Sequence, residues 1–380
     1  MKQNWKYQKM GDTFVLQMGK TPPRKNEKYW GGNNTWISIG DMGNSKFISS
    51  SKEKISDLAI KDTGIKIVPK GTVIMSFKLS VGKVGIANSD LYSNEAIMAF
   101  IPKCETTIIS DYLFYYLKGY KWENSNRAVK GITLNKELIS KGIIAIPGIE
   151  EQRLIVEELD LIQSIIDKQK RQLLELDNLQ QSIFHNMFGD LLDNKKSNKT
   201  LKEVAEYFIG LTYKPSDVSN SGTIVLRSSN IQGNQLDFKD IVRVSINVSE
   251  KKKVKEGDIL MCARNGSAKL VGKVARIKKM SEEMSFGAFM TIIRSRYNDF
   301  LFHFFKSAFF RSQLNSSKTA TINQITSKML DKIKVPIPPL ALQEEFAEKI
   351  EAIERQKELI KKSIADSEQL FNYTMDKYFG

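Results

Sequence analysis

The end of this chain repeats its middle. Ile146-Pro147 is followed by Gln152, a long stretch of helical spacing, and Phe188-Gly189. Ile337-Pro338 is followed by Gln343, a stretch of the same length, and Phe379-Gly380. All these matches share one offset, 191 residues, without a gap. Solenoid repeats have periods up to roughly 50 residues. A period of half the chain instead describes two copies of one unit, each a globular part followed by a long helix. Such a chain presents two similar surfaces, which suits a periodic partner.

The globular parts repeat more loosely. Asp111-Tyr-Leu-Phe-Tyr-Tyr-Leu-Lys118 matches Asp299-Phe-Leu-Phe-His-Phe-Phe-Lys306, Lys70–Met75 matches Glu256–Met261, and Val81–Val84 matches Val271–Val274, at offsets of 188, 186 and 190. The offset drifts where loops would lie, so the scaffold repeats while the loops diverge. Strands are expected at Ile37–Ile39, Thr72–Met75 and Ile97–Ile101, and a helix over 111–122 whose aromatic stripe is a core face.

Two helical rods are expected. In the first, Ile155, Leu159, Ile162, Ile166, Leu173, Leu176, Ile183 and Met187 follow alternating steps of three and four, interrupted at Gln169 and Gln180. In the second, Phe346, Ile350, Ile353, Ile360, Ile364, Phe371 and Tyr378 do so, interrupted at Lys357, Ser367 and Thr374. These are coiled-coil seams. At 1.5 Å per residue the first gives a rod of roughly 58 Å. A lone amphipathic rod would leave its stripe in water. The two seams are expected to pair antiparallel within the chain, with a parallel intermolecular coiled coil as the alternative. The expected division is 1–145, a globular domain; 146–190, a central helix; 191–334, a second globular domain; and 335–380, a C-terminal helix.

Charge follows the same division. The formal charge is +15, yet residues 148–190 carry −5 and residues 338–380 carry −3, leaving +23 on the rest. Basic globular parts on acidic helices attract a polyanion, and nucleic acid fits because bound phosphates release counterions. Chemistry is sparse. Gly19-Lys20-Thr21 lacks the earlier glycine of a phosphate loop, where Phe14 stands. No Asn-Pro-Pro-aromatic tetrad is present, and none of the nine prolines precedes Asp. Glu150-Glu151 and Glu344-Glu345 open helices and favour their dipoles. With two histidines and two cysteines, neither a histidine-based metal site nor a catalytic triad is expected. Cys104 and Cys262 read as reduced thiols of a cytoplasmic protein. The first residues show no apolar leader.

The order and duplication of these motifs resemble the specificity subunits of type I restriction-modification enzymes. Carrying the resemblance are Ile146-Pro147-Gly-Ile-Glu-Glu-Gln152 and Ile337-Pro338-Pro-Leu-Ala-Leu-Gln343. With them go Gly19-Lys-Thr-Pro22, Trp36-Ile-Ser-Ile-Gly-Asp-Met42 and Ala320-Thr-Ile-Asn-Gln-Ile-Thr326. Departures are Ala341-Leu342 before Gln343, and the longer Gly210-Leu-Thr-Tyr-Lys-Pro215 in the second copy. The resemblance implies an α+β chain with two mixed α/β target recognition domains joined by two long helices in an antiparallel coiled coil, a pseudo-two-fold repeat. It implies a non-catalytic DNA-recognition subunit reading a split target in double-stranded DNA. Two modification (methyltransferase) subunits would dock on it and two restriction (translocase and nuclease) subunits would complete the assembly. No cofactor is expected on this chain, with S-adenosylmethionine, ATP and Mg expected on the partners.

Candidate DNA contacts are the polar and basic loop residues, since Arg and Asn suit bidentate base reading and Lys suits phosphate. In the first domain these are Lys20, Thr21, Arg24, Lys25, Lys78, Lys83, Arg127 and Lys130. In the second they are Tyr213, Lys214, Arg227, Asn230, Arg264, Asn265, Lys269 and Lys273. Pro147, Gln152, Pro338 and Gln343 are the candidates for subunit docking. The competing readings are a coiled-coil adaptor that binds no DNA, which the charge division opposes, and a stand-alone DNA enzyme, which the missing motifs oppose.

Overall fold

The computed structural model describes all residues except 1–3, 44, 79, 104–107, 123–125, 129–130, 194–197, 279 and 316–322. Two helices dominate the chain, Ile149–Asp193 and Leu340–Phe379. The chain forms two compact units whose boundaries fall inside both helices: residues 1–170 with 362–380, and residues 171–361.

In the first unit, apolar β-branched runs build a five-stranded sheet in the order Phe14–Met18, Ile97–Pro102, Val73–Ser76, Val84–Ala87, Phe47–Ile48. Its pairs are antiparallel except the last, which is parallel. Trp30–Ile37 lies between Glu53–Ile55 and Tyr92–Ser93 in a second sheet. Lys6–Lys9 pairs antiparallel with Ile143–Ile146, just ahead of the central helix. The expected strand at Ile37–Ile39 lies upstream instead. Ser38 donates its N–H and hydroxyl to Asp41, which folds Ile39–Asp41 into a 3₁₀ turn.

The helix Ser110–Gly119 carries the aromatic stripe, which is core. The Tyr112 hydroxyl donates to the Ala145 carbonyl, that of Tyr116 to the Ile143 carbonyl, and that of Tyr115 to Asp160. Burial raises the Tyr116 phenol to about 12. Phe371 and Met375 of the C-terminal helix close the same core against Ile155, Leu159, Ile162 and Ile166. Here the two helices run antiparallel: Gln169 meets Ser363, Lys170 meets Glu368, and Glu158 meets Tyr378.

The second unit repeats the plan. Glu206–Ile209, Met290–Arg294, Ile259–Cys262 and Val274–Arg276 form an antiparallel sheet. Val218–Ser219, Arg243–Val244, Thr223–Leu226 and Met284–Phe286 form a second sheet, closed by a parallel pair. The helix Asn298–Lys306 packs Phe300 on Phe184 and Phe188 of the central helix, and both of these on Phe346. Cys262 is a buried thiol in this unit.

Of the polar interruptions of the seams, Gln180, Lys357 and Thr374 are buried and Gln169 and Ser367 half-buried. Gln180 is fully buried and donates to Glu354, and Lys357 reaches Asp177 (2.8 Å) and Glu354 (3.0 Å). A polar cluster inside an otherwise apolar seam fixes axial register, because any slide leaves its members unpaired. Ile183 and Met187 are only half-buried, and the inward positions belong to Phe184 and Phe188.

Candidate nucleic-acid interface

In both units the strand after the first short helix must leave one sheet and pass onto the other. Gly19 donates to the Ile97 carbonyl and Lys20 N–H to Ser93 (2.8 Å). Gly210 donates to the Met290 carbonyl and Leu211 N–H to Phe286 (2.6 Å). A Cβ on Gly19 would lie 2.1 Å from the Ser93 oxygen, and one on Gly210 would lie 2.0 Å from the Gly287 oxygen. The glycine of the Gly-Lys-Thr motif therefore permits two backbones to touch, and the polar loop that follows is held against the sheet.

In the first unit that loop gathers a charged cluster. Lys20 donates to the Thr63 carbonyl (2.6 Å), and Thr21 donates its hydroxyl to Glu95. Arg24 pairs with Glu53 and lies 4.0 Å over the Trp30 ring. The Thr21 hydrogen bond, against a smaller opposing effect of burial, holds Glu95 below the usual carboxylate range, and the charges of Lys78 and Arg24 add to it. Thr21 thus binds Glu95, an exposed acceptor at the turn before Ile97–Pro102, within the field of Lys78 and Arg24. Lys25 is exposed. Lys83 lies apart from this cluster and donates to the Ile39 carbonyl (3.3 Å). Arg127 belongs to the hairpin of Asn126–Ala128 and Gly131–Thr133, and Lys130 lies outside the described residues.

In the second unit the residues brought together are Arg264, Asn265, Phe289 and Gln324. The N–H groups of Ala263 and Arg264 both donate to the Phe289 carbonyl, and the Arg264 guanidinium stands 5.2 Å over the Phe289 ring. Phe289 is 57% exposed. Asn265 donates to the Ser228 hydroxyl (3.1 Å), and Arg264 bridges to Gln324. Lys214 and Lys269 are exposed on neighbouring turns.

Several expected contacts are corrected. Asn230 is 1% exposed: it accepts from the Arg227 N–H and donates to the carbonyls of Asp237 and Asp240. It is the cap of a turn, the counterpart of Asp41, and cannot also read a base. Tyr213 packs on Leu211, Val225 and Val244. Lys273 donates to the Ile231 carbonyl (2.8 Å) and braces that loop, while Lys83, at the matching position, is exposed. Arg227 is tied to Asp240 (2.7 Å).

The expected docking residues are internal too. Pro147, Gln152 and Pro338 are buried and Gln343 half-buried. Gln152 donates to the Pro147 carbonyl and accepts from Ile109 N–H, and Gln343 donates to the Pro338 carbonyl. The Pro-to-Gln spacing is a clasp at the helix opening: the glutamine amide reaches back to the proline carbonyl just ahead of the helix. What the central helix does expose in the first unit is an apolar stripe at helical spacing: Leu154, Leu161 and Ile165, at 65%, 62% and 40%. These residues lie off the seam, so its period does not mark them.

Among the described residues no helix is long and apolar enough to cross a membrane.

The family model of the type I restriction modification DNA specificity domain matches this chain twice, over residues 2–176 and 194–369. The type I restriction enzyme MjaIX specificity subunit of Methanocaldococcus jannaschii is 31% identical over 198 residues, which are 49% of this chain and 44% of that one. The chain therefore spans less than half the length of that relative. The MjaVIII specificity subunit of the same organism is 22% identical over 388 residues, 95% of this chain and 88% of the relative. A chain in a solved structure of a type I R-M system shares the fold at 17% identity, with a TM-score of 0.58 over 99% of this chain and 97% of that one. On the strength of the doubled domain match, this chain belongs to the type I restriction modification DNA specificity family.

Proposed function

We propose that this chain is the DNA-reading subunit of a type I restriction-modification complex, that it reads a split target in double-stranded DNA, and that it has no catalytic site. The observation that carries this reading is one scaffold bearing two different polar sets. The Gly19 and Gly210 crossings share their backbone bonds. The loops they hold present Thr21, Arg24, Lys78 and Glu95 in one copy and Arg264, Asn265, Phe289 and Gln324 in the other. A duplicated scaffold with divergent edges reads two different half-sites. In a major groove, Glu95 suits the cytosine amino group, Arg264 suits guanine, and an apolar group such as Phe289 suits the thymine methyl. Lys20, Lys25, Lys214 and Lys269 suit phosphates. The helices act as a spacer, and the protein works in the cytoplasm, where its DNA partner lies.

Modification subunits, which carry the S-adenosylmethionine chemistry, dock on the helices, and restriction subunits using ATP and Mg complete the assembly. The Leu154, Leu161 and Ile165 stripe receives one of the two modification subunits. The matching positions of the second helix, Glu345, Ala352 and Gln356, carry no large apolar side chain.

Co-expression with a modification subunit, followed by sequencing of methylated adenines, tests the reading. A bipartite motif with a constant gap is expected, with Arg264→Ala relaxing one half and Glu95→Ala the other. A single continuous motif, or one relaxed in both halves by either substitution, contradicts it. Leu161→Glu is expected to abolish co-purification while leaving DNA binding by the chain alone in place.

A further inference from the structure

The second unit holds a cavity of about 260 Å³. It lies among the hairpin Ile231–Leu236, the helix Asn298–Lys306 and the facing stretches of the two long helices. Its wall carries four cations, Arg276, Lys278, Lys306 and Lys357, against two carboxylates, Asp177 and Glu354. Both carboxylates are already committed to Lys357, and Arg276 is paired with Asp299. Among the described residues Lys306 and Lys278 have no ion-pair partner. The Lys306 ammonium stands 5.0 Å over the Phe302 ring. Burial first, and Lys357 second, lower its pKa. His303, 4% exposed, lines the same wall, and its Nδ1 has no hydrogen-bond partner. The rest of the wall is mixed, with Phe238, Phe302 and Ile350 beside the polar Asn234 and Gln235.

The first unit shows the same address filled differently. There Tyr115 and Lys118 stand where the repeat places His303 and Lys306. The cavity is lined by Lys46, Asp111, Asp160 and Asp167. Lys46 bridges Asp111 (2.6 Å) and Asp160 (2.8 Å), and the Tyr115 hydroxyl donates to Asp160. That wall sets three carboxylates against Lys46 and Lys118, so its negative charge outweighs its positive charge. In the second unit the tyrosine is a histidine and the four cations outnumber the two carboxylates. An unpaired charge beside apolar surface is costly, and an anion would complete it.

We propose that this cavity binds a small organic anion, one phosphate or carboxylate group joined to a flat apolar ring. Lys306 and Lys278 hold the anionic group, and Phe238 and Phe302 receive the ring. The site touches both long helices of its unit, so an occupant braces the domain core on its helical support.

Calorimetric titration of the full chain with phenyl phosphate and with benzoate tests this, with benzyl alcohol and inorganic phosphate as controls. Saturable one-to-one binding of phenyl phosphate or benzoate is expected, whichever anion the site prefers, and none of benzyl alcohol. Lys306→Met is expected to weaken it about tenfold or more, the usual effect of losing a charged hydrogen bond. Lys278→Ala, at an exposed position, should weaken it several-fold and decides the matter if the Lys306 variant does not fold. Absence of saturation by either ring anion at millimolar concentration, or equal binding by the folded variants, overturns the proposal. Inorganic phosphate binding as tightly as phenyl phosphate overturns the part assigned to the aromatic wall.

Discussion

Substituting alanine at Gly19 or Gly210 puts a methyl group where there is backbone. The new Cβ would stand 2.1 Å from the Ser93 oxygen in one case and 2.0 Å from the Gly287 oxygen in the other, against an ordinary contact of 3.4 Å or more. One backbone must retreat by more than ~1 Å, enough to break a hydrogen bond of ordinary length. In the first unit the bonds at risk are Gly19 to Ile97 and Lys20 to Ser93; in the second they are Gly210 to Met290 and Leu211 to Phe286. Two backbone bonds at about 1 kcal/mol each, with some desolvated groups left unpaired, give an expected loss of roughly 2–4 kcal/mol per variant. Urea unfolding separates the two cases. All four tryptophans, Trp5, Trp30, Trp36 and Trp122, precede residue 171, so indole fluorescence follows the first unit while far-ultraviolet dichroism follows both. Gly19→Ala should lower the fluorescence midpoint. Gly210→Ala should lower the dichroism midpoint and leave the fluorescence midpoint in place. Gly43→Ala, with nothing within 4 Å of its Cβ, is the neutral control. Glycine variants as stable as that control would refute the close-approach argument.

Lys357→Met should cost about 2 kcal/mol, less than the ~3–5 kcal/mol of a fully buried pair because of the exposure of its partner Asp177, and replacing Gln180 and Glu354 by leucine as well should restore most of it in thermal unfolding. His303 is held well below the ordinary imidazole value of 6.5, mainly by burial. The unfolded chain therefore takes up a proton that the folded chain refuses, and stability present above pH 6.5 falls as the pH drops below it, by up to about 1.4 kcal/mol per pH unit. His303→Phe should flatten that slope in urea titrations from neutral pH downward. Inserting one heptad into each helix, after Lys170 and after Lys361, adds ~10 Å of helix and should widen the gap between methylated half-sites by about three base pairs at 3.4 Å each. An unchanged gap in the methylation map removes the spacer role.

The helices were legible because a seam leaves a period in the sequence, and a period survives without knowledge of the partner. Gln180, Lys357 and Thr374, which interrupt the apolar period, are nonetheless buried. The period counts apolar side chains, whereas Gln180 and Lys357 enter the seam by meeting each other's partners across it. The candidate contacts were less legible. Asn230 has the chemistry of a base reader, but its carboxamide is consumed by a turn. The clue lay in the other copy, where an aspartate caps the equivalent turn. Glu95 and Phe289 were missed because they occupy the loop where the repeat loses its offset. Nothing local to either residue reveals that Thr21 or Arg264 will reach it from far along the chain.

The interleaving of the units sets an order of events during synthesis. The second unit is one unbroken stretch, residues 171–361, while the first needs residues 362–380 to finish its core. Phe371 and Met375, which seal the packing around Tyr112 and Leu159, are made only after the whole of the second unit. Domains ordinarily mature from the N-terminus onward. Here the second unit can complete its fold while the first still waits, and a nascent chain stalled just past residue 361 would carry a finished second unit and an unsealed first one.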